Sequence, residues 1–279
     1  MHADSYFFVG KTHSINQDYA KSGEGENGQQ FIIVADGCSG SPDTDFGSRI
    51  LSQVFANEVH NLLNFDSSLK EEEAFRLGGL AAAYQIKQLQ LPANALDSTL
   101  LLAISMADKT RIRMIGDGVL ATIDRNDDIE ITEIEYPSGA PRYLHYWIDP
   151  DRHDLYKKEF GTKAIARTYI LEKGEQQECT ATETEFDSMI YTVALNPECF
   201  KAVVLFSDGV HSLQKPAETD TGRTFEAVPT RQTLQKLLAY KSYKGEFVKR
   251  RTKRFIKEMQ KEGWVNNDEL SVAAIYLGE

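Results

Sequence analysis

The stretch "FIIVADG" (residues 31–37) holds both the architecture and the chemistry of this chain in seven positions. Phe31, Ile32, Ile33, Val34 and Ala35 form an unbroken apolar, β-prone run that reads as a buried strand. Asp36 follows at once, and "GCSGSPD" (37–43) then supplies small and turn-forming residues. A carboxylate at the mouth of a buried strand is costly unless something pairs with it. What Asp36 holds is therefore the question the sequence has to answer.

Asp36 is not alone. "RMIGDGVL" (113–120) sets Asp117 after an apolar strand, and "VVLFSDGV" (203–210) does the same for Asp208. "NNDELSVAAIY" (266–276) puts Asp268 just before the closing strand, and "HSINQDYA" (13–20) carries Asp18 between the first two. Asp-Gly is a common hairpin dipeptide, so a turn is the competing reading of each one taken singly. Taken together, carboxylates gathered at one end of packed sheets would repel one another and raise each other's pKa. Divalent cations are the ordinary remedy, and an all-oxygen donor set favours Mg²⁺ or Mn²⁺ over zinc. Two such ions would clamp a phosphoryl group and sharpen a bridging water into a nucleophile.

Composition narrows the field. A chain of 279 residues with 41% hydrophobic and 26% charged residues has the make-up of a soluble globular protein able to bury a core. The net charge of −11 argues against broad nucleic-acid binding. No apolar run is long enough to span a bilayer, and the start "MHADSYFFVGKTHS" lacks the pattern of a signal peptide. The three cysteines, Cys38, Cys179 and Cys199, are odd in number and lack CxxC spacing, which argues for a reducing compartment. A cytoplasmic protein without membrane or nucleic-acid partners is the expectation. Residues 244–261, "KGEFVKRRTKRFIKEMQK", are the basic exception; they read either as the solvated face of a packed helix or as a dock for an anionic partner.

Along the chain, "YFFVG" and "FIIVAD" read as strands, with the glycine-rich "KSGEGENGQQ" (21–30) suited to a hairpin loop. Two helical stretches follow; the first carries Ile50, Leu51, Val54, Phe55, Val59, Leu62 and Leu63 at helical spacing. "STLLLAISMA", "RIRMIGDGVLATID" and "IEITEIE" then read as strands, "PSGAPRYLHYWIDPDRH" (137–153) as an aromatic loop, and "TKAIARTYILEKG" as another strand. "FKAVVLFSD", two helices and "ELSVAAIYLGE" close the chain. The order predicts an α+β fold in one domain over 1–279.

The ordered series "NQD", "VADGCSG", "STLLLA", "IGDGVL", "LFSDGV" and "NDELSV" resembles the metal-dependent serine/threonine protein phosphatases of type 2C (PPM family), in their bacterial form. The resemblance spans nearly the whole chain. It implies an αββα sandwich of two antiparallel sheets flanked by helices, with two Mn²⁺ or Mg²⁺ ions and a weaker third at one edge. It also implies a phosphoprotein substrate opposed by a serine/threonine kinase, and hydrolysis by a metal-bridging water. By the same resemblance Asp36 bridges the two ions, the Gly37 carbonyl helps hold the second, and Asp208 and Asp268 complete the first. Asp18 orients water, Asp117 with Asp208 serves the third ion, and Ser98-Thr99 stands in a structural strand.

Departures from the family pattern mark this chain. Gln17 stands where many members have a glutamate ligand, and His13 occupies the place of a phosphate-binding arginine, with Lys11 as an alternative. A histidine grips phosphate more weakly than a bidentate guanidinium. "GCSG" replaces the usual glycine-rich sequence and brings Cys38 close to the ions, as filler or redox switch. Glu269 stands in an asparagine place. The segment 136–197 is where the family places its variable flap; Arg142, His145, Trp147, Arg152 and His153 there read as substrate contacts or as a packed cluster. Two rival functions are a phosphatase-like regulator without turnover, motivated by His13 and Gln17, and a calcium module on Asp36, Asp43 and Asp45. The latter lacks the EF-hand register. No Walker-type loop or strand-linked GxGxxG supports a nucleotide fold.

Overall fold

The computed structural model describes residues 1–25, 28–59, 68–171, 181–219 and 222–278. Asn27 in the predicted hairpin loop, Leu62 and Leu63 of the first helical stretch, and Cys179 lie outside them. The chain opens with β1 (His2–Phe8), β2 (Tyr19–Glu24) and β3 (Gln30–Ala35), then two helices, α1 (Thr44–Asn57) and α2 (Ser68–Gln88). Four strands follow: β4 (Leu100–Ser105), β5 (Thr110–Ile115), β6 (Gly118–Asp124) and β7 (Ile129–Glu135). Two short helices, α3 (Leu144–Ile148) and α4 (Pro150–Phe160), precede β8 (Ala164–Ile170), β9 (Thr182–Phe186), β10 (Tyr191–Leu195) and β11 (Phe200–Phe206). The last part runs β12 (Leu213–Thr219), β13 (Gly222–Ala227), α5 (Thr230–Leu237), α6 (Phe247–Lys261), β14 (Val265–Asn266) and β15 (Leu270–Tyr276).

One sheet has seven strands in the order β1-β15-β11-β6-β7-β8-β9, and the other has five, β10-β5-β4-β3-β2; a small third sheet joins β13, β12 and β14. All their pairings are antiparallel. The two large sheets pack face to face, and the reason is written in strand alternation. In β3, Ile32 and Val34 enter the core between the sheets with Leu101, Leu120, Leu205 and Ile275. Phe31 and Ile33 point the other way, onto Leu51, Phe55 and Phe75 of α1 and α2. Both faces are buried, so the run is apolar throughout rather than alternating. On the far side of the seven-stranded sheet, Val204, Phe206 and Val272 meet Leu234, Phe247 and Phe255 of α5 and α6. The layers are therefore helix, sheet, sheet, helix. Full burial of side chains of this size contributes about 1.5–3 kcal/mol each.

The structure corrects the sequence reading in three places. "RIRMIGDGVLATID" is two strands, and β5 and β6 lie in different sheets. The aromatic loop at 137–153 contains α3 and the start of α4, which has Pro150 in its first turn and Asp149 accepting from the Arg152 amide at 3.2 Å. The hairpin β12–β13 and the strands β9 and β10 were not expected at all. Helix α6 bears out the packed-face reading on one side, where Phe247, Val248, Phe255 and Met259 are buried. Among the described residues no helix is long and apolar enough to cross a membrane.

Candidate active site

Strand register brings the predicted residues to one edge. Ala35 pairs with Tyr19 and Val34 with Leu101, so the end of β3 meets the start of β2 and of β4. Phe206 pairs with both Val119 and Val272, and Phe8 with Leu270, so the loops carrying His13, Asp117, Asp208 and Asp268 end on the same side. None of the three Asp-Gly pairs is a hairpin turn. Asp117 sits where the chain crosses from the five-stranded to the seven-stranded sheet. Asp208 opens a 3-10 turn, and Gly37 makes an isolated bridge to Ser98.

Asp36 is fixed through its backbone. Its amide donates to Thr99 Oγ1 at 3.0 Å, and the Thr99 amide donates to the Asp36 carbonyl at 2.8 Å. Ser98-Thr99 thus acts as the clamp on this loop. A Cβ on Gly37 would lie 2.8 Å from both Thr44 Cβ and the Thr44 carbonyl oxygen, so only glycine fits there. Asp18 is 1% exposed and accepts from Ser207 Oγ at 2.7 Å. Ser207 is itself held by β15, accepting from the Ser271 amide at 3.0 Å.

The electrostatics of the edge are severe. Burial, then the charges of Asp18, Asp208 and Asp117, hold the Asp36 carboxyl well above the usual carboxylate range. Burial pushes Asp18 up to about 7 against the pull of the Ser207 hydroxyl, with Asp208 adding to the rise. Asp117 reaches about 7, from burial and then the charges of Asp208 and Asp268. Among the described residues none of Asp18, Asp36, Asp117 and Asp208 forms an ion pair with lysine or arginine. Crowded oxygen donors without a cationic side chain, beside a carbonyl that no Cβ screens, suit divalent ions.

Asp268 takes a different partner. Its Oδ1 lies 3.9 Å from His13 Nε2, while His13 Nδ1 meets Glu269 Oε2 at 2.6 Å. Among the described residues, His13, Asp268 and Glu269 form the group of potential ligand atoms lying within 4.8 Å of one another. Burial holds the Glu269 carboxyl above its ordinary range, with the neighbouring Asp268 adding to the rise. Lys11 is exposed, and its amide donates to the Asn266 carbonyl at 2.8 Å. Gln17 uses its side-chain amide on Thr44 Oγ1 at 2.6 Å. Asp43 is exposed, in a left-handed conformation at φ 58°, and Asp45 sits in the first turn of α1.

Three contributors escaped the sequence reading. Asp97, 2% exposed, accepts from both terminal nitrogens of Arg152 at 2.8 Å, meets His145 Nδ1 at 3.1 Å, and accepts from Ser41 Oγ at 2.8 Å. Its carbonyl also accepts from the Cys38 amide at 2.8 Å, which ties α3 and α4 to the Asp36 loop. Tyr143 is buried against Cys38, with its hydroxyl pushed far above its ordinary pKa by burial and then by the Cys38 thiol and the nearby acids. Ser207 is the third. An acid before an apolar strand, "LDSTLLLA", was the signal for Asp97. Of the flap residues, Arg142 and His145 are buried and Trp147 packs on the α1–α2 core, so these belong to a packed cluster. Arg142 donates to the Ser188 carbonyl at 2.6 Å.

A sequence model described as protein phosphatase 2C matches residues 10–242. No curated protein matches the sequence. Among solved structures, a bacterial serine phosphatase superposes with a TM-score of 0.57 at 12% identity, covering 100% of this chain and 98% of its own. The Staphylococcus aureus serine/threonine phosphatase Stp1 gives 0.55 at 12% identity, with 99% and 95% covered. The Mycobacterium tuberculosis serine/threonine phosphatase PstP/Ppp gives 0.53 at 17% identity, with 100% and 99% covered. Likeness at these identities is likeness of fold.

Proposed function

The chain belongs to the protein phosphatase 2C family and is a metal-dependent serine/threonine protein phosphatase; we propose that the acid cluster around Asp36 is its catalytic centre. The observation that carries this reading is the crowding of Asp18, Asp36, Asp117 and Asp208 at one sheet edge, with the carboxyls of Asp18, Asp36 and Asp117 all raised by burial and the charge of Asp208 adding to each rise.

Asp36, the Gly37 carbonyl, Asp208 and Asp268 are the residues to hold two ions, and Asp117 with Asp208 a third. All-oxygen donors of this kind suit Mn²⁺ or Mg²⁺. When bound, the ions supply positive charge to the phosphate oxygens and make water a better nucleophile at neutral pH. Asp18, pinned by Ser207 Oγ at 2.7 Å, is a fixed acceptor that orients water beside Asp36. Thr99 and the Asp97 carbonyl keep the Asp36 loop from shifting. Tyr143 stays protonated and so remains a hydrogen-bond donor beside Cys38, Asp117 and Asp36. Segment 136–197 serves as the flap through Tyr143 and the Arg152–Asp97 pair. The substrates are phosphoproteins, opposed by a serine/threonine kinase in the cytoplasm, and residues 1–279 act as one domain.

The test is hydrolysis of p-nitrophenyl phosphate and a phosphothreonine peptide by the purified chain with Mn²⁺, Mg²⁺ or EDTA. Metal-dependent turnover that disappears in Asp36→Ala and Asp208→Ala is the expected result. Turnover that persists in EDTA, or in both variants, overturns this assignment of residues.

A further inference from the structure

We propose that His13 is itself a metal ligand: Nε2 of its ring and Asp268 form a nitrogen-and-oxygen subsite at the rim of the acid cluster, with Glu269 orienting the ring. The inference rests on the phosphatase reading for its setting and on separate geometry for its content.

A neutral imidazole carries one N–H and one lone pair. Nδ1 lies 2.6 Å from Glu269 Oε2, and with Nδ1 as the donor of that contact the ring's lone pair is on Nε2. The lone pair of Nε2 is then directed at the rim, where Asp268 Oδ1 stands 3.9 Å away. Two acceptors at that separation share no hydrogen bond. Asp268 Oδ1 accepts from the Glu269 amide at 2.9 Å and keeps lone-pair capacity for a cation shared with Nε2. A carboxylate on one imidazole nitrogen and a metal on the other is the recurrent arrangement of metal-binding histidines.

The alternative use of His13, as a grip on phosphate, fits poorly. Its donor nitrogen is taken by Glu269, and two carboxylates, one of them 3% exposed, flank the ring. Negative charge on both sides attracts a cation and repels a phosphate oxygen. His13 and Glu269 are two of the positions at which this sequence departs from the family pattern, and they touch.

The backbone holds the two loops in this relation. A Cβ on Gly10 would fall 2.2 Å from the Asp268 carbonyl oxygen, and one on Gly209 would fall 1.6 Å from that of Glu269. The Thr12 hydroxyl donates to the Asn267 carbonyl, and the Asp268 amide to Ser212 Oγ at 3.3 Å. Mg²⁺ and Mn²⁺ both suit oxygen donors, but affinity for nitrogen rises along the first-row divalent ions from Mn²⁺ onward and gains Mg²⁺ little. The subsite therefore shifts the chain's preference from Mg²⁺ toward Mn²⁺.

The decisive measurement is electron spin-echo modulation of Mn²⁺ bound to the purified chain without substrate, which detects directly coordinated ¹⁴N. Coupling to one imidazole nitrogen is expected in the parent chain and absent in His13→Gln. Calorimetric Mn²⁺ affinity should fall about 10-fold or more in His13→Gln, with Mg²⁺ affinity little changed. Glu269→Gln should keep the nitrogen signal and weaken Mn²⁺ by about 10-fold, as loss of an orienting carboxylate does. Mn²⁺ saturation of the parent chain without nitrogen coupling overturns the proposal, and so does coupling that survives in His13→Gln. Turnover is read separately: a chain that turns over without nitrogen coupling loses this inference and keeps the phosphatase reading. A chain with the coupling and no turnover does the reverse.

Discussion

At Asp36 a cost to the fold stands against the catalytic role proposed for it. Its carboxyl is desolvated and faces the charges of Asp18, Asp208 and Asp117, so these acids raise the cost of ionising it. Replacing it by asparagine keeps the shape and removes one charge from the cluster. We expect Asp36→Asn to raise the thermal midpoint in EDTA by a few degrees, about 1 kcal/mol or more of relieved repulsion. The same change should lower kcat/KM about 10³-fold or more, the loss of several kcal/mol of transition-state stabilisation. A thermal scan in EDTA beside a p-nitrophenyl phosphate assay with Mn²⁺ measures both. A lower midpoint together with lost activity would mean that Asp36 supports the fold, and that the acids do not strain it.

At the scale of elements, the backbone decides how the acids meet. Between β5 and β6 the chain leaves one sheet and enters the other within Gly116-Asp117-Gly118, with φ of +86° and +139° at the two glycines. A Cβ on Gly118 would also lie 2.9 Å from the Phe206 carbonyl oxygen and from Leu101 Cδ1. Gly118→Ala is expected to cost about 2–4 kcal/mol from strain and overpacking, which for a chain of this size is roughly 5–15 °C. Gly139, with φ +70° and nothing within 4 Å of a Cβ, is the control and should lose about 1 kcal/mol. Equal losses in the two thermal melts would sink the steric argument. This crossing also explains what the sequence concealed: "RIRMIGDGVLATID" is apolar on both sides of Asp117, and periodicity does not mark a change of sheet. β9, "TETEF", is largely exposed and polar and gave no apolar signal. The buried strands and their terminal acids were readable because burying a charge is costly wherever it occurs. Tyr143 and Ser207 were not readable, and Asp97 only as an acid before a strand, because their roles exist through partners 55 to 189 residues away in sequence, Cys38, Asp18 and Arg152.

For the whole molecule, the acid cluster couples stability to pH and to cations. Asp18 and Asp117 titrate at about 7 in the folded chain, against an ordinary 3.8. Between those values the folded chain binds more protons than the unfolded one, so the slope of unfolding free energy with pH is negative. The stability these groups contribute is fully present below about pH 4 and is lost as pH rises through about 7. Divalent ions bind the deprotonated carboxylates, so they compete with those protons and replace what alkaline pH removes. The midpoint in EDTA should therefore fall from pH 5.5 to pH 8, while the gain on adding Mn²⁺ should grow over the same interval. At pH 8, free Mn²⁺ at 100 times its Kd should add about 2.7 kcal/mol, or roughly 5–10 °C. Taking the difference between Mn²⁺ and EDTA at each pH cancels titrations elsewhere in the chain. A gain in midpoint that is the same at pH 5.5 and pH 8 would mean that the ions bind apart from Asp18 and Asp117, and would remove the link between the raised carboxyls and the metal site.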